Sequence, residues 1–229
     1  IVRPRNGARR WISTGIADVQ LQPSELAKLA FVLALSAYLR FKSNHRTLKG
    51  LLVPFILMFI PMGLILVEPD LGTSLLFVPT LFAMLIAAGA KIKHIAMIVI
   101  IGLALAPMAY PFLQPHQKDR IQAMVNQVTG DTSRTDSIGY QGDRAMTLVG
   151  AGGVAGVGAT HARDLVVHNG LPEEHNDMIF AVVVTRWGLI GGIAVLACYM
   201  ILALGGLLTA GLSKDAFGRL VVVGCLTMI

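Results

Sequence analysis

The sequence predicts an all-α, polytopic membrane protein: about five transmembrane helices, the start of a sixth, and one long polar loop. Three observations lead there. Apolar residues make up 55% of the 229-residue chain and charged residues only 14%, against about 25% charged in an ordinary soluble domain. A soluble chain of this length needs more polar surface than that. Apolar stretches of membrane-spanning length recur along the sequence. The polar residues, by contrast, collect between positions 114 and 177, which hold most of the histidines and a large share of the acidic residues and glycines. Chemistry is expected there, at one face of a bilayer.

The spans follow from length. Crossing roughly 30 Å of hydrocarbon takes about 20 helical residues. Segments 24–41, 50–68, 71–89, 95–114 and 188–209 meet that need, and a sixth runs over 217–229. All belong to one expected membrane domain over 1–229, with an external loop at 115–177. The apolar run from Met178 to Leu208 is too long for one straight crossing, and Arg186-Trp187-Gly188 divides it. Arg and Trp are interfacial anchors, so 178–185 is expected as a short helix at or near the surface. The chain opens without Met and stops inside an apolar run, so a fragment of a longer protein is expected. Cys198 and Cys225 sit in apolar runs and read as small buried hydrophobes rather than a disulfide framework.

Loop charge sets the orientation. Loop 40–49 carries Arg40, Lys42, Arg46 and Lys49, loop 90–94 carries Lys91 and Lys93, and loop 211–219 carries Lys214 and Arg219. Counting crossings puts all three on one side, the cytoplasmic one by the positive-inside rule. The segment 115–177 then faces outward. The N-terminal stretch falls on the outer side too, although Arg3, Arg5, Arg9 and Arg10 cluster in it. Those arginines fit lipid phosphates or an anionic substrate, since the guanidinium fork matches phosphate. The net charge of +6 does not imply nucleic acid, because the basic residues are scattered between apolar spans.

Four constellations stand out. In Gln22-Pro23-Ser24-Glu25-Leu26-Ala27-Lys28, Pro23 suits a first helical position and Glu25 a first turn. Glu25 and Lys28 are spaced to pair on one helix face, as a structural ion pair or as part of a cavity. In Glu68-Pro69-Asp70-Leu71-Gly72-Thr73, Asp70 is either an N-cap or a carboxylate facing a cavity. The run from Gly150 to Gly158 has five glycines in nine residues. It is expected to bend and to pack on protein or line a wet cavity, and it lacks the Gly-Lys-Ser/Thr of a phosphate loop. Finally, Glu173, Glu174, His175 and Asp177 crowd together before an apolar helix. Their spacing is not that of a zinc site, and Asp177 also reads as a helix cap.

The order of these motifs is more specific than any one of them. Gly7-Ala8-Arg9-Arg10-Trp11-Ile12 comes first, then Gln22-Pro23-Ser24-Glu25 with Lys28, Pro69-Asp70-Leu71-Gly72-Thr73 and Gly139-Tyr140-Gln141. The glycine run follows, then Leu171-Pro172-Glu173 with His175, Asp177, Ile179 and Phe180. Over nearly its whole length the chain resembles the SEDS family (shape, elongation, division and sporulation) of RodA- and FtsW-type proteins. The resemblance implies part of a ten-helix membrane fold, with short re-entrant or interfacial helices in the external loop.

It also implies a function: peptidoglycan glycosyltransfer from lipid II at the outer face of the bacterial cytoplasmic (inner) membrane, in elongation or division. Undecaprenyl pyrophosphate would be the leaving group, and a penicillin-binding-protein transpeptidase the partner. No cofactor is implied with certainty, and there is room for a divalent cation. The family places an essential aspartate before Gly-Tyr-Gln. Asp136 matches counting back from Tyr140, and Asp131 matches counting forward from Arg120. Substrate contacts carried over by motif are Arg9, Arg10, Glu25, Lys28, Asp70, Thr73, Tyr140, Gln141, Glu173, His175 and Asp177. Some positions depart from the pattern. No Pro follows either aspartate, Thr185-Arg186 stands where the family has an acidic pair, Asn176 replaces a Thr, and Glu68 replaces a Gln. A transporter or flippase for the same lipid, or a scaffold for a partner synthase, are the competing functions.

Overall fold

The computed structural model describes residues 2–5, 8–13, 20–42, 44–67, 70–112, 117–119, 121–122, 125, 138–170 and 178–228. It is mostly helical. By packing, the chain divides into two compact units, Ile1–Leu103 with Ala203–Ile229, and Ala104–Leu202.

The first unit opens on a feature absent from the sequence expectation. Strands β1 (Val2–Arg5), β2 (Ala8–Ser13) and β3 (Gln20–Leu21) form a three-stranded antiparallel sheet in the order β1-β2-β3. Arg5 pairs with Ala8, Arg3 with Trp11 and Ile12 with Leu21. The all-α expectation therefore describes the apolar segments but misses this sheet. Asn6-Gly7, the strongest two-residue hairpin signal, lies between the first two strands in the sequence.

Helix α1 (Pro23–Phe41) starts with Pro at its first position and Glu25 in its first turn, both favoured there. A short 3₁₀ turn at Lys49–Leu51 leads into α2 (Leu52–Val67). Helices α3 (Leu71–Ala87) and α4 (Ile92–Ala109) follow. Their cores meet in one cluster. Phe31, Val32 and Leu35 of α1, Met58 of α2, and Phe77, Leu81 and Met84 of α3 are all buried. The Phe31 and Phe77 rings lie 5.2 Å apart. The last helix described, which we number α8 (Ala216–Leu226), joins the cluster through Leu220. It comes close because of Gly224, where a Cβ would lie 2.6 Å from Val32 Cγ1 and 3.0 Å from Met84 Sδ. Small residues let helix backbones approach in this way where lipid gives no hydrophobic drive to association.

The second unit holds α5 (Ile138–Gly152), α6 (Ala159–Asn169) and most of α7 (Ile179–Leu212). Buried Leu148 and Val166 pack with Ala145, Met178 and Val182. Helix α7 is two helices in sequence, broken at Gly188, whose φ of 68° and ψ of −165° are not helical. The break falls within the Arg186-Trp187-Gly188 divider, and the helix ahead of it begins at Ile179.

Lys49–Val67 and Ile179–Leu212 are long and apolar enough to cross a membrane, and only 22% and 6% of their most apolar windows are buried in protein. Core helices of a soluble protein would be mostly covered, so these apolar surfaces point to lipid. Shorter apolar helices run over Gly72–Ala87, Ile92–Met108 and Ala216–Leu226. Both cysteines are free. Cys198 is exposed rather than buried, and Cys225 is partly exposed. The reason is the sparse protein cover on α7, where an apolar side chain needs lipid and no core.

Candidate functional site

In the first unit, two helix starts carry the expected polar groups. Lys28 Nζ lies 2.8 Å from Glu25 Oε2. The Lys28 side chain is 14% exposed and that of Glu25 57%. The lysine is thus sheltered while its partner carboxylate stays half in the open, which limits the strength of the pair. Asp70 caps α3, accepting from the Thr73 backbone N–H at 3.1 Å and from the Thr73 hydroxyl at 3.0 Å. The cap answers one of the orphan donors of a helix start. Arg9 and Arg10 lie in strand β2.

In the second unit, the glycine-rich run lies against the break in α7, and backbone hydrogen bonds join the two. In an unbroken helix the Leu189 N–H would bond the Thr185 carbonyl and the Ile190 N–H that of Arg186. The break separates these groups. The Thr185 carbonyl instead accepts from the Val157 N–H at 3.1 Å, and that of Arg186 from the Gly158 N–H at 3.2 Å. The Leu189 N–H donates to the Gly153 carbonyl at 2.9 Å, and that of Ile190 to Val154 at 3.3 Å. Four groups freed by the break find four partners in one loop. Unsatisfied backbone is costly away from water, and irregular backbone survives there only with such partners.

Glycine is required where the two segments touch. A Cβ at Gly156 would strike the Arg186 carbonyl, one at Gly188 the Val154 carbonyl, and one at Gly152 the Val184 carbonyl. Gly156 and Gly188 also have φ of 82° and 68°. Thr185, fully buried, places its hydroxyl 2.8 Å from the Ala181 carbonyl and 3.0 Å from that of Leu148, tying α7 to α5. Asn169 donates to the Arg144 carbonyl at 2.9 Å, linking α6 to α5.

Tyr140 and Gln141 lie in the first turn of α5. Asp131, Asp136, Glu173, His175 and Asp177 lie outside the described residues. The described residues contain no group of three or more His, Cys, Asp or Glu that would hold a metal ion.

The family model described as "Cell cycle protein", FTSW_RODA_SPOVE, matches residues 1–229. The chain belongs to this family. Curated relatives include the peptidoglycan glycosyltransferase MrdB of Escherichia coli K12, 31% identical over 224 residues, covering 97% of this chain and 59% of MrdB. Stage V sporulation protein E of Bacillus subtilis is 32% identical over 227 residues, 98% of this chain and 60% of the relative. The chain therefore spans about 60% of the length of these relatives. Among solved structures, a chain of a peptidoglycan synthase complex that coordinates polymerization and crosslinking matches with TM-score 0.79 and 27% identity. All of this chain and 61% of that one are covered. The rod shape determining protein RodA of Thermus thermophilus matches in fold, with TM-score 0.60 and 23% identity over all of this chain and 56% of RodA. This FtsW/RodA/SpoVE membership and the apolar helices together mark a membrane-embedded protein.

Proposed function

We propose that this chain is part of a peptidoglycan glycosyltransferase that polymerises lipid II at the outer face of the bacterial cytoplasmic membrane. The observation that carries the reading is the end-to-end family match, with a relative named as such an enzyme aligned over 97% of the chain. The motif order in the sequence points the same way.

In this reading a carboxylate, Asp136 or alternatively Asp131, takes the proton of the acceptor N-acetylglucosamine 4-hydroxyl. The oxygen attacks C1 of the donor N-acetylmuramic acid, and the C1–O bond to the pyrophosphate breaks. Undecaprenyl pyrophosphate leaves with the bonding electrons, and cations near it stabilise the charge that develops. Arg9 and Arg10 are the proposed cations. Glu25, Lys28, Asp70, Thr73, Tyr140, Gln141, Glu173, His175 and Asp177 are proposed to contact substrate. A divalent cation can share the pyrophosphate charge, and a penicillin-binding-protein transpeptidase is the proposed partner.

The test is polymerisation of purified lipid II by the full-length protein in detergent. Asp136→Asn keeps side-chain size and removes basicity, so the rate should fall about 10²–10⁴-fold while lipid II binding persists. Asp131→Asn should be milder. The reverse pattern moves the base to Asp131. Wild-type rates from both variants reject a carboxylate base in this segment. A wild-type protein that moves lipid II across a bilayer without polymerising it would be a transporter, and one that does neither would be a scaffold.

A further inference from the structure

The four α7 groups that bond to the glycine loop have a second way to be satisfied. In the bent helix the Thr185 and Arg186 carbonyls and the Leu189 and Ile190 N–H groups all pair with loop 153–158. In a straight helix they pair with one another, Leu189 with Thr185 and Ile190 with Arg186. Neither form leaves these four groups stranded. We propose that α7 is a two-state element, bent or straight at Gly188, and that loop 153–158 is the catch of the bent state.

The bend is sharp and has a packed face of its own. A Cβ at Gly192 would lie 3.0 Å from Val184 Cγ2 and 3.6 Å from Phe180 Cζ. In a straight helix those two residues sit about 12 and 18 Å away along the axis. The leading half of α7 therefore leans back on the trailing half. That contact is apolar, and lipid replaces it at little cost when the halves part. The Thr185 hydroxyl keeps the Ala181 carbonyl in reach in both forms, because the two lie one turn apart in the same half. Straightening gives up its reach to the Leu148 carbonyl and releases four polar groups of the loop. Gly153, Val154 and Gly158 are exposed and Val157 is half-buried, so water can take up those groups. Gly188 alone has non-helical dihedrals within α7, and glycine passes between such conformations more readily than any other residue. The loop continues directly from α5, so the catch couples the bend to the helix that carries Tyr140 and Gln141.

The experiment measures the distance between two spin labels by pulsed electron paramagnetic resonance, on the full-length protein in lipid nanodiscs. The labels sit on Ile179→Cys and Ala197→Cys, exposed positions on either side of the break, in an otherwise cysteine-free protein. A straight α7 sets these positions on one face about 27 Å apart, and the bent form brings them closer. Gly156→Ala drives a Cβ into the Arg186 carbonyl and releases the catch without altering α7 itself. Gly188→Ala disfavours the bend directly, at a φ of 68°. Each variant should show a discrete population near the straight distance, at least about tenfold larger than in the wild type, the shift that 1.4 kcal/mol produces. Gly150→Ala, with open space around it, should match the wild type. A single short distance in both Gly156→Ala and Gly188→Ala overturns the proposal. A broad smear without a peak at the straight distance overturns it too, because it means that the break is damaged and not switched. Should Gly188→Ala fail to fold, Gly156→Ala decides by the same criterion. Lipid II polymerisation plays no part in this readout, so the switch and the proposed reaction stand or fall separately.

Discussion

The two units of this molecule are held together by different physics. In the first, α1, α2, α3 and α8 interlock through side chains, with Phe31, Phe77, Leu81 and Met84 at the centre. In the second, the contact between the glycine run and the α7 break is made by backbone, through four exchanged hydrogen bonds. A side-chain interface tolerates changes of shape and fails by leaving holes. A backbone interface has no tolerance for added atoms and fails when a single methyl group is introduced. The two units should therefore show opposite mutational signatures.

The largest effect is expected at Gly188. Alanine there must adopt a φ of 68° and press against the Val154 carbonyl. Strain of roughly 1–3 kcal/mol, together with the loss of one or two exchanged bonds at about 1 kcal/mol each, should reduce stability by roughly 2–5 kcal/mol. Thermal unfolding in detergent measures it. Gly150→Ala, with open space around it, should be neutral or slightly stabilising. Equal effects at the two positions would erase the proposed contrast.

Next comes Phe77→Ala in the first unit. Phe77 is fully buried against Phe31, and the cavity should lower stability by on the order of 3 kcal/mol. Phe77→Leu should recover most of that in the same assay, whereas no residue larger than Gly should rescue position 188.

Thr185→Val sharpens the comparison at a single atom. It keeps the shape and removes a buried hydroxyl that lies within bonding distance of two carbonyls. A loss of about 1 kcal/mol is expected. Ser36 is the opposite case: its Oγ is buried with no partner among the described residues. Ser36→Ala should cost nothing or stabilise by up to about 1 kcal/mol. A clear destabilisation would mean that the hydroxyl has a partner in the membrane-embedded protein.

The sequence revealed what is local. The Glu25–Lys28 pair follows from spacing on a helix, and the Asp70 cap from an acid ahead of an apolar run. The break in α7 was legible as an apolar run too long for one crossing, interrupted by Arg186-Trp187-Gly188. Non-local pairing was not legible. Five glycines announce a bend, but nothing in their pattern names Thr185, Arg186, Leu189 and Ile190 as partners some thirty residues later. The sheet was missed for a different reason. Asn6-Gly7 signals a hairpin, yet the flanking arginines lack the apolar alternation that usually confirms one.

The break at Gly188 also acts on the length of the helix. Helix α7 contains 34 residues, which as one straight rod would measure about 51 Å at 1.5 Å per residue. That overshoots a hydrocarbon layer of roughly 30 Å and would force a steep tilt or a local thickening of the bilayer. Residues 189–212 alone rise about 36 Å, a length that a moderate tilt accommodates. Through Gly188 the glycine loop thus acts as a stop on a ruler, and hydrophobic mismatch works against any state in which the loop lets go.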